Sequence, residues 1–301
     1  MTRRVTVLMG GWSAEREVSL VSGAAVTHAL ATAGYEVTAL DVQHDVAAVL
    51  ARLTPRPDVV FNALHGRFGE DGCIQGMLNL LGVAYTHSGL LASALAMDKP
   101  MAKRLFAAAG ISVAEARVVG REEALAGDPM PRPYVVKPIN EGSSVGVRIV
   151  RAADAASPFA AGEWPYGPQV MIERYIPGRE FTVAVMGDRP LAVTEITTDH
   201  GFYDYDAKYA AGGSRHVLPA AVDPALYDEA MRLAVLAHRC LGCRGVSRTD
   251  LRYDGRNLYV LELNTQPGLT PTSLVPEQAA YVGLSFSDLA VWMVENAVCD
   301  A

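Results

Sequence analysis

Strand and helix alternate from the first residues of this chain, and that rhythm restricts the fold more than any other feature. Val5–Met9, Tyr35–Leu40, Asp58–Asn62 and Val83–Thr86 are short apolar or alternating runs that read as strands. Between them, 17–33 carries Val18, Val21, Ala25, Ala29 and Leu30 near helical spacing and stops at Gly34. Residues 46–53 and 71–81 read as two shorter helices, the second closed by Gly82. Repetition of strand, helix and strand predicts a parallel, doubly wound sheet.

The pattern changes after a helix expected at 98–109. Strands at 117–119, 134–137, 147–150 and 170–176 are joined by loops rather than crossover helices, which predicts an antiparallel α+β module. Pro177-Gly178 punctuates its end. Strands at 180–186 and 191–197 follow, then a long polar and aromatic loop from Thr198 to about Arg215, a helix at 224–241, a hairpin (246–251 with 258–264) turning at Asp254-Gly255, and a last helix at 286–297. The expected class is therefore α/β followed by α+β.

Composition narrows the function classes. Half of the 301 residues are hydrophobic and only 20% are charged, which excludes a disordered chain. The formal net charge is −7, with no Lys/Arg block to serve as a footprint for nucleic acid or an anionic membrane. No run reaches the ~18 apolar residues of a membrane span. Thr2-Arg3-Arg4 before Val5–Met9 faintly suggests a signal peptide, but the apolar run is short and ends at Gly10-Gly11-Trp12, so a first strand is the better reading. Of four cysteines, Cys240 and Cys243 have C-x-x-C spacing without the second pair that a zinc site needs; buried thiols near a helix end are expected. A cytoplasmic protein is expected.

Four segments could carry chemistry. Side chains alternate along a strand, so Arg248 and Asp250 share one hairpin face, as do Glu262 and Asn264, while Leu261 and Leu263 should point into a core. The turn brings Asp250 roughly opposite Glu262. Two carboxylates and a carboxamide oxygen suit Mg²⁺; a solvated sheet face is the bland alternative. The following Thr265–Gly268 turn can offer backbone N–H groups to an anion. Lys137 ends a strand before a Gly/Ser-rich loop, 140–146, which reads equally as a phosphate cradle or a plain turn. Phe202 to Tyr209 interleaves aromatic residues with charges, and reads as a lid over a phosphate site with Lys208 as its inward cation. His65 lies in a glycine-rich strand-to-helix loop, at the end of a parallel sheet where ligands bind; structural and functional roles stand about even.

Together these segments resemble the D-alanine–D-alanine ligases of the ATP-grasp superfamily. The resemblance rests on Gly10-Gly11 with Glu15–Leu20, Leu64–Gly66 with Gly69–Gly72, and Met97–Lys99. It continues through Lys137-Pro138 with Glu141–Gly146, Tyr203–Tyr209, and Glu262–Gly268, in that order along nearly the whole chain. It implies a doubly wound N-terminal domain (1–92) followed by a two-part ATP-grasp module (93–177 and 178–301), with a lid at about 198–215. It also implies a reaction for peptidoglycan synthesis. ATP phosphorylates the carboxylate of one D-alanine, and the amine of a second attacks the acyl phosphate.

Residue by residue, the resemblance implies that Glu15 holds the first ammonium and joins Ser143 and Tyr209 in a trio, with His65 close by. Lys99, Lys137 and Lys208 would meet phosphates. Glu173, Arg174, Tyr175 and Ile176, with Phe202, would line the adenine, and Glu180 would hold the ribose. Asp250, Glu262 and Asn264 would hold two Mg²⁺, for which Mn²⁺ can substitute. Arg248 and the Gly268 N–H would stabilise the oxyanion, and Ser273 and Leu274 would receive the second carboxylate. The implied partners are ATP, two D-alanines and a second copy in a homodimer, with no nucleic acid or membrane. A relative that makes D-alanyl-D-lactate or another D-amino-acid dipeptide is the nearest alternative.

Overall fold

A computed structural model describes residues 2–142, 146–154, 159, 164, 166–197 and 214–300. The first sheet contains β1 (Arg4–Gly10), β2 (Glu36–Val42), β3 (Val59–Asn62) and β4 (Ala84–Tyr85), in the order β2-β1-β3-β4. All its pairs are parallel, as expected from the strand and helix rhythm. Helices α1 (Arg16–Thr32), α2 (Val46–Arg52) and α3 (Cys73–Leu81) connect the strands. The sheet is buried on both faces. Val5, Val7 and Phe61 point to one core with Val26 and Leu30 of α1, whereas Leu8 and Val60 point to another with Val49 and Leu78 of α2 and α3.

Helix α4 (Leu90–Met97), which the sequence reading placed in no element, leads directly into α5 (Lys99–Ala108). The Asp98 side chain accepts from Met101 N at 2.9 Å and caps α5, with proline in the first turn. The second sheet, in the order β5-β8-β6-β7, contains β5 (Ala116–Gly120), β6 (Tyr134–Pro138), β7 (Arg148–Val150) and β8 (Gln169–Arg174). It is antiparallel throughout. A short helix, α6 (Arg121–Ala126), follows β5 where a loop was expected.

The third sheet runs β11-β10-β9-β12-β13, with β9 (Arg179–Met186), β10 (Arg189–Thr197), β11 (Arg215–Val217), β12 (Val246–Tyr253) and β13 (Leu258–Asn264). Helix α7 (Pro224–Cys240) buries Ala230, Leu233, Ala234 and Ala237, one helical stripe, against this sheet. The chain then forms α8 (Leu274–Tyr281), also absent from the sequence reading, and α9 (Phe286–Glu295). Leu289, Met293 and Val294 of α9 share the core of Val5, Phe61 and Leu30. The last helix therefore closes the first sheet and brings the third sheet beside it. Among the described residues no helix is long and apolar enough to cross a membrane.

Candidate active site

The hairpin pairs Arg248 with Asn264 and Asp250 with Glu262, so the four polar side chains meet as the alternation requires. The register shifts just beyond Asp250: Leu251 pairs with Val260, and Leu261 becomes the extra residue of a bulge. This corrects one expectation. Leu263 is buried, but Leu261 is only half-buried, and Val260 takes the core position instead. The bulge keeps Glu262 on the polar face and Val260 on the apolar one, although they are two residues apart.

Asp250 is held firmly. Arg248 Nε and Nη2 donate to its two oxygens, each at 2.9 Å, and Thr182 Oγ1 on β9 donates at 2.6 Å. Asn264 Oδ1 accepts from Gln266 N at 2.8 Å. The Gln266 side chain reaches into the first sheet, accepting from Asn62 Nδ2 at 2.8 Å and donating to the Leu64 carbonyl. Gln266 is 1% exposed and ties the Thr265–Gly268 turn to the His65 loop, a role that sequence reasoning missed.

His65 is buried between Glu70 Oε1, 3.5 Å from Nδ1, and Ser22 Oγ, 3.3 Å from Nε2. Burial alone would lower its pKa; the hydrogen bond and charge of Glu70, with the charge of Glu15, outweigh burial and raise it. Ser13 Oγ donates to the His65 carbonyl at 2.6 Å and accepts from Glu15 N at 3.2 Å. The buried Glu15 carboxylate lies against two glycines. A Cβ on Gly66 would stand 2.6 Å from Glu15 Oε2, and one on Gly142 would stand 2.8 Å from it. Gly142 is the last described residue before Ser143, so the loop that enters the serine segment abuts Glu15.

Lys99 occupies the first turn of α5, where exposed N–H groups favour an anion, and its Nζ donates to the Glu141 carbonyl. Lys137, next to last in β6, is buried and pairs with Glu173. Lys103, which the sequence reading left aside, pairs with the same carboxylate from α5. Glu173 is 1% exposed; burial pushes its pKa up, but the two lysines pull it below the usual carboxylate value. Burial lowers the pKa of Lys103, whereas for Lys137 the carboxylates of Glu173, Glu262 and Glu180 outweigh burial and raise it.

Beyond Glu173, Arg174 is exposed with its guanidinium 5.5 Å from the Tyr259 ring centre, Tyr175 is half-buried and Ile176 is buried. Glu180 on β9 accepts from Arg252 at 2.8 Å. Ser273 Oγ accepts from Thr270 N at 3.0 Å, directly before α8, and Gly268 lies beside it: a Cβ there would be 3.0 Å from Ser273 Oγ. Leu274 packs with Ile196.

A single cleft of about 1410 Å³ joins these parts, with Glu15, His65, Lys99, Arg248, Glu262 and Asn264 on its walls. Gly268, Ser273 and Leu274 also line it, as does His216, whose Nδ1 stands 2.9 Å from Glu277. Lys137, Glu173–Ile176, Glu180 and Asp250 stand outside that lining. Ser143, Phe202, Lys208 and Tyr209 lie outside the described residues. Among the described residues no group of three or more His, Cys, Asp or Glu side chains is placed to hold a metal ion; the candidate metal donors are a carboxylate pair and a carboxamide. The four thiols are free, and burial pushes Cys243 up to about 12, which makes it a poor nucleophile or metal ligand.

Comparison with known proteins places the chain among ligases that act on D-alanine. The family description "D-ala D-ala ligase C-terminus" matches residues 105–295, and "D-ala D-ala ligase N-terminus" matches 46–88. The D-alanine–D-alanine ligase of Rhodospirillum rubrum is 64% identical over the full length of both chains, and that of Paramagnetospirillum magneticum is 63% identical, also over both full lengths. Among solved structures, the D-alanine–D-alanine ligase of Bacillus anthracis complexed with ATP superposes with a TM-score of 0.85 at 29% identity, covering 98% of this chain and 97% of that one. The VanG D-Ala:D-Ser ligase of Enterococcus faecalis gives 0.81 at 29% identity, covering 98% and 99%.

Proposed function

The chain belongs to the D-alanine–D-alanine ligase family, and from that premise we infer how its cleft works. It is an ATP-dependent, ADP-forming ligase that joins two D-alanines for cell-wall synthesis. The observation that carries this reading is the meeting of Glu15, His65, Lys99, Arg248 and Glu262 on one cleft drawn from all parts of the chain. Residues 1–92, 93–177 and 178–301 are its three working units.

Glu15 receives the ammonium of the first D-alanine. The buried loop of His65, Gly66 and Glu70, in which Gly66 N donates to Glu70, packs against that carboxylate. Lys99 and Lys137, with Lys208, balance the charge of the ATP phosphates, while Glu173–Ile176 with Phe202 face the base and Glu180 faces the ribose. Transfer of the terminal phosphoryl group to the D-alanine carboxylate makes an acyl phosphate and ADP. The second D-alanine, its carboxylate received by Ser273 and Leu274, gives up a proton from its ammonium to solvent water. The resulting amine attacks, and phosphate leaves. Arg248 and the Gly268 N–H stabilise the oxyanion of that addition. Ser143 and Tyr209 complete the contacts of Glu15. Asp250, Glu262 and Asn264 offer only oxygen donors, which fits two Mg²⁺ or Mn²⁺ ions; when bound, these would neutralise phosphate charge.

We place the enzyme in the cytoplasm, in keeping with four free thiols. A homodimer is supported by Leu80 and Leu91, 92% and 67% exposed on the adjoining α3 and α4; light scattering after gel filtration tests it. The function is tested by phosphate release from ATP with D-alanine, L-alanine, or D-alanine plus D-lactate or D-serine, with product analysis across about pH 6 to 9. D-alanyl-D-alanine should dominate and its formation should rise with pH as the amine deprotonates. A dominant depsipeptide or D-alanyl-D-serine would reject the reading.

A further inference from the structure

Arg252 lies on β12, two residues beyond Asp250, on the same strand face as Arg248 and Asp250 and opposite Glu180 in the register with β9. It is 8% exposed, so its five N–H donors have little access to water. All three nitrogens are engaged. Nη1 donates to Glu180 Oε2 at 2.8 Å, Nε donates to the Ile176 carbonyl at 3.1 Å, and Nη2 donates to the Tyr175 hydroxyl at 3.1 Å. The guanidinium also stands 5.5 Å from the centre of the Tyr175 ring.

These partners come from different places. Tyr175 and Ile176 follow β8 of the second sheet, whereas Glu180 is on β9 of the third. An ion pair serving stability alone would need Glu180 only. Here one planar group holds a carboxylate, a main-chain carbonyl and a phenol at once, and lysine, a single point donor on a flexible stem, could not reproduce that fork.

We propose that Arg252 is a positioning residue for the nucleotide, locking Glu180 to the Tyr175–Ile176 segment so that the ribose and base sides of the site act as one rigid unit. This rests on the reading that Glu180 meets the ribose and that Tyr175 and Ile176 meet the base. Arg252 acts through Glu180, and it does not act on the D-alanine end of the cleft.

The test compares Arg252→Met, Arg252→Lys and Glu180→Gln with wild type. Measured are KM for ATP, KM for D-alanine, kcat, and the preference for ATP over 2′-deoxyATP, with melting temperature as the folding control. Arg252→Met should raise KM for ATP about tenfold, the worth of one hydrogen bond to a charged group, with KM for D-alanine unchanged. It should also erode the preference for the 2′-hydroxyl as Glu180→Gln does. Arg252→Lys keeps charge and stem, so it secures a folded variant, and it should show the same split because the fork is lost. If Glu180→Gln loses the preference while both Arg252 variants keep it, the positioning role is wrong and the ribose reading stands. If wild type is indifferent to the 2′-hydroxyl, or if Glu180→Gln keeps the wild-type preference, the ribose reading falls and the inference falls with it. Equal rises in both KM values would also overturn the proposal.

Discussion

Glu173 sits between the ammonium groups of Lys103 and Lys137 with 1% exposure, and its two partners are not equivalent to one. Removing a lone partner from a buried ion pair costs about 3–5 kcal/mol because a charge is left uncompensated. Lys103→Met leaves Glu173 still paired with Lys137, so it should destabilise by clearly less than that. Glu173→Gln leaves two lysines buried together and should lose the full amount. Urea unfolding of both variants gives the order; a reversed order would mean that Lys137 alone does not compensate Glu173. On the hairpin, Glu262 is half-buried and lines the cleft, and it sits opposite Asp250, its proposed fellow metal donor, in the register. Glu262→Gln should therefore remove most turnover while the melting temperature stays close to wild type. Turnover measured against Mg²⁺ concentration checks this, and near-normal activity at ordinary Mg²⁺ would take Glu262 out of the donor set.

Loops, as elements, do the aiming. Gly66 has φ +71° and packs against Ser13 as well as Glu15, whereas Gly142 lies outside the positive-φ region and meets only the Glu15 carboxylate. An alanine at either position must push that carboxylate aside. Displacement of about 1 Å at a substrate-holding group can cost up to roughly 100-fold. Both Gly66→Ala and Gly142→Ala should raise the apparent KM for the first D-alanine by about tenfold or more. Only Gly66→Ala should also lower stability, by about 1–2 kcal/mol, because alanine is strained at positive φ. Steady-state kinetics beside thermal melts separates the two, and an unchanged KM in Gly142→Ala would show that Glu15 tolerates the shift. The hairpin works by similar means: its bulge resets the alternation so that Glu262 can face the cleft while Val260 stays in the core.

Across the whole molecule, buried histidines give the fold a pH dependence. His87 is 2% exposed at the end of the first sheet, with neither ring nitrogen hydrogen-bonded, and packs against Gly245 just before β12. Burial, then the nearby His65, lowers its pKa to about 3; burial lowers that of His238, in the last turn of α7, to about 4. Both folded values lie below the ordinary 6.5. Above that pH both groups are neutral in either state and stability is unaffected. As the pH falls below it, the unfolded chain takes up protons that the folded chain refuses, so stability declines by up to about 1.4 kcal/mol per pH unit for each histidine. The decline ends near pH 4 for His238 and near pH 3 for His87. His65 has the opposite sign: its raised pKa adds stability below pH 6.5 that is lost as the pH rises through the folded value. Melting temperature should fall from pH 7 to pH 4.5, and His87→Asn should make that fall shallower. Asparagine suits the positive φ of this position. A slope identical to wild type would show that His87 is protonated in the fold.

The local sequence was enough to determine the elements of the first sheet and the polar face of the hairpin, and it carries the motifs by which the family is recognised. Strand and helix periods, glycine stops and cross-strand alternation depend on neighbours within a few residues, so they are written in the order of the chain. Lys103, Arg252 and Gln266 were not legible in the same way, because each looks like an ordinary polar residue until its partner is known. Those partners, Glu173, Glu180 and Asn62, are 70, 72 and 204 positions away. Helices α4 and α8 escaped for a related reason: α4 is apolar on most sides and α8 contains Pro276, and each is made helical by what it packs against. Only the tertiary structure decided which of two leucines enters the core and which carboxylate two lysines share. The free energy of burying a charge or a side chain depends on the groups that surround it, and those are assembled only when the sheets meet.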